Sequence, residues 1–163
     1  MASIYLSLGS NLGNRAENLK QAIALLAPEI TAGAVSALYE TAPMYVEDQP
    51  KFLNIVCQAT TRLGPTGLLK KIKAIEKEIE PTPHAHNQPR IIDVDLLFYD
   101  DAIITTPELT IPHPRITERA FVLVPLADIA PELIHPSLGI SILVLKDGLG
   151  DASADVAKVR EKI

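Results

Sequence analysis

Apolar and polar positions along the chain fall into segments of two different periods. Period 2 runs through 52–62 and 90–99, and a short apolar run fills 3–8, so these three segments predict strands. Period 3.6 runs through two other segments. In the first, Leu19, Ala22, Ile23 and Leu26 form a stripe, Asn14 with Glu17 supplies the start, and Pro28 ends the helix near 27. In the second, Pro65 opens the helix after Gly64, and Leu68, Leu69, Ile72, Ile75 and Ile79 form the stripe. A further strand is predicted at 34–41, with Val35, Leu38 and Tyr39 as core candidates. Prolines keep 81–89 and 109–114 out of helices. A short edge strand is expected at 102–105, a helix over 116–127 broken at Pro125, and a last helix over 137–145. From 147 the chain reads as a frayed tail. The order is β-α-β-β-α-β, then a hairpin and a helical tail. That order predicts a single α+β domain over 1–163: a ferredoxin-like antiparallel sheet with helices on one face and an open ligand-binding face on the other.

Within 90–99 the alternation puts Ile92, Val94, Leu96 and Phe98 on one face. Asp93 and Asp95 share the other, about 7 Å apart at Cα. Two carboxylates at that spacing on a strand can hold hard cations such as Mg²⁺, which take oxygen ligands and also bind substrate phosphates. A solvated polar face gives the same spacing. Ile91 and Leu97 flank the pair on its own face, which argues for a partly covered groove where a cation would offset the charge.

Charge and composition narrow the function. The net charge is −5, there is no Trp and aromatics are few, so nothing argues for the basic patch or the stacking platform of a nucleic-acid binder. No apolar run reaches the roughly 18 residues of a membrane span. Met1-Ala2-Ser3 leads straight into a strand, so a cytoplasmic protein without a leader is expected. One cysteine, Cys57, excludes an intramolecular disulfide and reads as a buried apolar residue.

Other polar residues have two readings each. The turn Gly9 to Asn14 is a plain connection or a backbone cradle for phosphate, and it is not a Walker A loop. Asn54 interrupts an apolar strand start and needs partners; it ties down a loop or reads the edge of a heterocycle. Met44 and Tyr45 sit in a loop that serves as a lid or ligand wall, or simply packs its own side chains. His84 and His86 lack a third metal ligand nearby.

Several stretches together resemble one family, 6-hydroxymethyl-7,8-dihydropterin pyrophosphokinase. They are Leu8-Gly9-Ser10-Asn11-Leu12-Gly13, Tyr39-Glu40-Thr41-Ala42-Pro43 and Gln49-Pro50-Lys51-Phe52-Leu53-Asn54. The more specific two are Pro89-Arg90-Ile91-Ile92-Asp93-Val94-Asp95 and Pro112-His113-Pro114-Arg115-Ile116-Thr117-Glu118-Arg119-Ala120-Phe121. The resemblance implies an enzyme of folate biosynthesis that moves pyrophosphate from ATP to the pterin hydroxymethyl group and releases AMP. By that resemblance Asp93 and Asp95 would hold two Mg²⁺ ions, and Arg90, His113 and Arg119 would act on the phosphates. Glu76, Leu96, Thr110 and Arg115 would serve ATP. Thr41, Pro43, Met44, Phe52, Asn54 and Phe121 would surround the pterin. The expected partners are these small molecules alone, with no nucleic acid or membrane by charge and hydropathy, and a monomer is the simplest expectation. One region departs from the pattern: the arginines usual after the second helix are absent between Glu80 and Asn87. His84, His86 or a lysine of that helix would have to supply part of the charge. A relative that binds pterin or nucleotide without turnover is the alternative.

Overall fold

The computed structural model describes residues 1–43, 48–82 and 88–163. Its centre is β1 (Ala2–Ser10), which pairs antiparallel with β4 (Phe52–Thr61) on one side and β5 (Asp93–Tyr99) on the other. β2 (Ile30–Val35) and β3 (Leu38–Thr41) both pair with β4, so the sheet runs β5-β1-β4-β3 with β8 (Ala157–Arg160) added beyond β3. Alternate residues of these strands, including Ile4, Leu6, Leu8, Leu53, Ile55 and Cys57, face α1 (Arg15–Leu26) and α2 (Pro65–Ile79). Both helices follow the predicted stripes: Leu19, Ala22 and Leu26 are buried in α1, and Leu68, Ile72 and Ile75 in α2. Asn14 caps α1 by accepting the Glu17 N–H at 3.3 Å.

The expected mixture of helices and antiparallel sheet is present, but the second face is open over only part of its area. At one end α3 (Ala120–Ile129) and α4 (Ile142–Asp147) cover it, forming a second core of Val56, Leu97, Phe98, Val122, Leu123, Leu126 and Ile142. The Tyr39 hydroxyl donates to Asp128 Oδ2 at 2.6 Å and ties β3 to α3. The uncovered end holds the site described below.

Local departures from the sequence reading have identifiable causes. The 34–41 strand is two strands, β2 and β3. At the break the buried Ser36 hydroxyl accepts the Val56 N–H at 2.9 Å, replacing a ladder bond. β5 begins at Asp93 rather than 90 because β1 ends at Ser10; beyond it the Asn11 side chain accepts the Arg90 N–H at 2.7 Å. Tyr5 opposes Phe98 while Leu6 opposes Leu96, so Leu97 is an extra residue in β5. That bulge moves Phe98 off the face of Ile92, Val94 and Leu96 and into the second core, edge-on to Tyr5 and His135. Phe98→Ala is therefore expected to cost about 3–5 kcal/mol. In thermal unfolding that is a fall of roughly 10 °C; a loss of under 3 °C would show the second core to be dispensable.

The 116–127 helix breaks at Arg119, whose backbone is extended, and not at Pro125, which lies inside α3. A 3-10 turn, Ile116–Glu118, precedes the break. The expected 137–145 helix starts later: His135 Nδ1 accepts the Ser137 and Leu138 N–H groups, Gly139 has φ +68°, and Ser141 caps α4. The end of the chain is not frayed throughout, since β8 pairs with β3. The expected short strand is β6 (Ile104–Thr105), paired with β7 (Thr110–Ile111).

Candidate functional site

The uncovered end of the sheet is the floor of a cavity of about 270 Å³. Register fixes the floor. Asn54, Gly9 and Asp93 lie in one cross-strand row over β4, β1 and β5, and Val56, Ser7 and Asp95 lie in the next. Side chains opposite one another share a face. A β-carbon at Gly9 would stand 2.9 Å from Asn54 Oδ1 and 3.4 Å from the Phe52 ring. Glycine in the middle strand therefore keeps the floor low between the Asn54 wall and the Asp93 wall.

On the β4 side, Asn54 is buried and donates from Nδ2 to Thr41 Oγ1 at 2.8 Å. Its amide ties down the end of β3 and lines the cavity at once. Phe52, Pro43 and Phe121, the last from the first turn of α3, stand around it. Met44, placed with them by sequence, lies outside the described residues, as do Tyr45, His84 and His86.

On the β5 side the charges gather. Arg90 Nη1 lies 3.0 Å from Asp93 Oδ1, and Arg119 Nη1 lies 3.7 Å from Asp95 Oδ2. Glu76 Oε2 accepts the Val94 N–H at 3.0 Å, and its Oε1 is 3.0 Å from Lys73 Nζ. Asp95 is raised to about 7 by burial first, then by Asp93 and Glu76, with Arg119 and Lys73 opposing. The Glu76 carboxyl is also raised, chiefly by burial. Burial, with the neighbouring carboxylates, thus disfavours the Asp95 charge more than Arg119 and Lys73 favour it. The donor set suits a hard divalent cation: two carboxylates from one strand, with the remaining positions left to water or phosphate oxygens. Among the described residues no group of three or more His, Cys, Asp or Glu forms a complete metal cage.

His113 was expected to be cationic or a donor. It is neutral at ordinary pH, held down to about 4 by burial and then by the Arg119 charge. Its Nδ1 accepts the Arg115 N–H at 3.2 Å, which leaves Nε2 to carry the proton. It therefore faces the cavity as a neutral N–H donor. Arg119 Nε is buried and has no hydrogen-bond partner among the described residues, and its guanidinium stands 5.5 Å over the centre of the Phe121 ring.

Three expected residues stand apart from the cavity lining: Glu76, whose carboxylate is taken up by Lys73 and the Val94 N–H, Leu96 and Thr110. The Leu96 side chain is in the core beneath the sheet, so it can meet a ligand only through its backbone. Thr110 lines a separate groove of about 270 Å³ that also takes in His113, Pro114 and His135. Conversely, Ser7, Gln49 and Gln88 line the cavity without having been assigned a part, as do Gly9, read only within a turn, and Lys73, read only as one unspecified lysine of its helix. For Ser7 and Gly9 the signal was available in the register opposite Asp95, Asn54 and Asp93. Lys73 was hidden among the other lysines of its helix. Asn11 is buried and links the loops on both sides, donating to Gln49 Oε1 and the Pro50 carbonyl while accepting from Arg90.

A family model described as 7,8-dihydro-6-hydroxymethylpterin-pyrophosphokinase matches residues 5–131. The 2-amino-4-hydroxy-6-hydroxymethyldihydropteridine pyrophosphokinase of Aquifex aeolicus is 42% identical over 136 residues, 83% of this chain and 85% of that one. Its Bacillus subtilis counterpart is 43% identical over 131 residues, covering 79% and 78%. The folic acid synthesis protein fol1 of Pneumocystis carinii is 47% identical over 141 residues, 86% of this chain but 19% of its own length. The chain thus spans about a fifth of the longer curated relatives that it matches. The fold is shared with the Plasmodium falciparum HPPK-DHPS structure with pteroate, at TM-score 0.75 and 20% identity over 90% of this chain and 42% of that one.

Proposed function

The chain belongs to the 7,8-dihydro-6-hydroxymethylpterin-pyrophosphokinase family, and from that membership we propose that it transfers pyrophosphate from ATP to the hydroxymethyl group of 6-hydroxymethyl-7,8-dihydropterin, releasing AMP, in folate biosynthesis. One observation carries the reading: a single cavity joins an amide-and-aromatic wall, at Asn54, Phe52 and Phe121, to a charged wall at Asp93, Asp95, Arg90, His113 and Arg119. The first suits a flat heterocycle with hydrogen-bonding edges. The second suits a polyphosphate held on a cation.

In this reaction the pterin hydroxymethyl oxygen attacks the β-phosphorus. The bond from that phosphorus to the α–β bridging oxygen breaks, AMP leaves with that oxygen, and the hydroxyl proton is lost to water. Such a transfer needs placement and charge stabilisation more than covalent help. Asp93 and Asp95 would hold Mg²⁺, two ions by family resemblance, which when bound supplies charge neutralisation for the phosphates. Arg90, Arg115, Arg119 and the His113 Nε2–H would donate to phosphate oxygens. Glu76 fixes the Val94 backbone between the two aspartates. The Leu96 backbone and Thr110 would border the nucleoside. Asn54, the Thr41–Pro43 backbone and Met44 would read the pterin, with its ring between Phe52 and Phe121.

No helix among the described residues is long and apolar enough to cross a membrane. A cytoplasmic monomer acting on small molecules, as one domain over 1–163, fits this reading. The test is AMP release, expected only when ATP, Mg²⁺ and the reduced hydroxymethylpterin are all supplied. Tight binding of both substrates with no AMP would make the chain a binding protein instead.

A further inference from the structure

We propose that the Lys73 ammonium binds the β- and γ-phosphates of ATP from the α2 side of the cavity, across from Arg115 and Arg119. This deepens the activity proposed above and rests on it. Lys73 lines the cavity and, among the described residues, is the cation that α2 contributes to its lining. Its place is fixed by a short relay. Lys73 Nζ is 3.0 Å from Glu76 Oε1, and Glu76 Oε2 accepts the N–H of Val94, the residue between Asp93 and Asp95. The ammonium is thus held beside the acidic strand rather than along the open helix surface. Burial works against its charge, but Glu76, Asp93 and Asp95 outweigh that and raise its pKa, so it stays protonated.

The Glu76 pair is not its final partner. An i,i+3 pair with the lysine side chain 66% exposed is worth little. A charge-assisted bond to phosphate is stronger. A cation on Asp93 and Asp95 would also remove the pull those carboxylates exert on the ammonium, freeing it to swing to the anion above them. Asp93 and Asp95, which would hold that cation and let it neutralise phosphate charge, lie close enough to act on the Lys73 ammonium, so the phosphates nearest the cation are the ones the lysine would meet. Lys71 does not compete for this part, since its Nζ is 3.0 Å from Glu29.

Calorimetric titration of the full chain with Mg·ATP and, separately, with AMP tests this. Lys73→Ala is expected to raise the Kd for Mg·ATP about tenfold, the size of one exposed charge-assisted contact. It should leave the Kd for AMP within about twofold and the melting temperature unchanged. Lys73→Arg should recover most of the ATP affinity, and Lys20→Ala, on α1, should match the wild type. An unchanged ATP Kd in Lys73→Ala overturns the proposal. Equal losses for ATP and AMP also overturn it, since they mean a structural role. Absence of AMP release by the wild type would overturn the activity, while the ratio of ATP affinities still judges Lys73.

Discussion

Asp95→Asn should lower AMP formation by about a thousandfold or more, the usual scale for losing a metal-holding carboxylate, and yet yield a more stable protein. The second half follows from electrostatics. Asp95 is raised to about 7 in the fold, by burial and by Asp93 and Glu76. In the unfolded chain it titrates near 3.9. Between those values the native state holds a proton that the unfolded state releases, so stability falls as pH rises through the window. The contribution is fully present below about 4 and is lost by about 7. About a third of the Asp95 side chain is exposed, so solvent screening leaves on the order of 2 kcal/mol at stake. Asparagine removes that charge and keeps the shape. In chelator, the advantage of Asp95→Asn over wild type should be small at pH 4, grow toward pH 7 and then level off.

His113 runs the other way. Its folded value of about 4 lies below the ordinary 6.5. Its stabilising contribution is present above 6.5 and is lost as pH falls toward 4, which partly masks the Asp95 slope in the wild type. The mutant-minus-wild-type difference isolates the aspartate. Added Mg²⁺ should raise the melting temperature of the wild type and leave Asp95→Asn nearly unmoved, which reverses or narrows the gap. A variant that is less stable at pH 8 without metal, or that keeps near-normal turnover, would defeat the assignment of Asp95 as a cation ligand.

The same two aspartates mark how far the sequence could be read. Alternation placed them on a face opposite Val94 and Leu96, and that face does line the cavity. Periods of 3.6 found α1 and α2 because each buries one stripe and exposes the rest. Alternation failed where a tertiary partner replaced a ladder bond. The Leu97 bulge reverses the face of Phe98, and the Ser36 hydroxyl splits a strand in two. β2 was missed over 30–33 because its residues after Ile30 are exposed and carry no period. α3 is apolar on nearly all sides, so pattern could not locate its break; the extended backbone of Arg119 sets it. Of the site, the motif residues were legible as residue types at fixed spacing. Ser7, Gly9 and Lys73 were not, because they become site residues only through register or through the turn of a helix toward a neighbouring strand.

Arg119→Lys, which keeps the charge, should lower kcat/KM by about 100-fold or more, roughly 3 kcal/mol of transition-state stabilisation. The reason lies in three features that a lysine cannot reproduce together. Arg119 Nε is buried with no partner among the described residues, a costly state that an incoming phosphate oxygen would relieve. The guanidinium carbon lies 5.5 Å from the centre of the Phe121 ring, which itself lines the cavity. Its Nη1 faces Asp95 at 3.7 Å, on the cation wall. Only 15% of the side chain is exposed, so its position is set by packing and not by solvent. On the proposed reading Arg119 would couple the two halves of the cavity, because filling either side would order the group that serves the other. Lysine would keep the attraction to Asp95 and to phosphate as a point charge, but it would lose the planar donor fork and the guanidinium's contact with the Phe121 ring. Steady-state kinetics with both substrates varied distinguishes this from a simple loss of charge. A variant whose KM for ATP alone rises, with kcat and pterin affinity intact, would show Arg119 to be a local phosphate contact. Loss of kcat together with weaker pterin binding would show the coupling, because only a residue that spans both walls can move both.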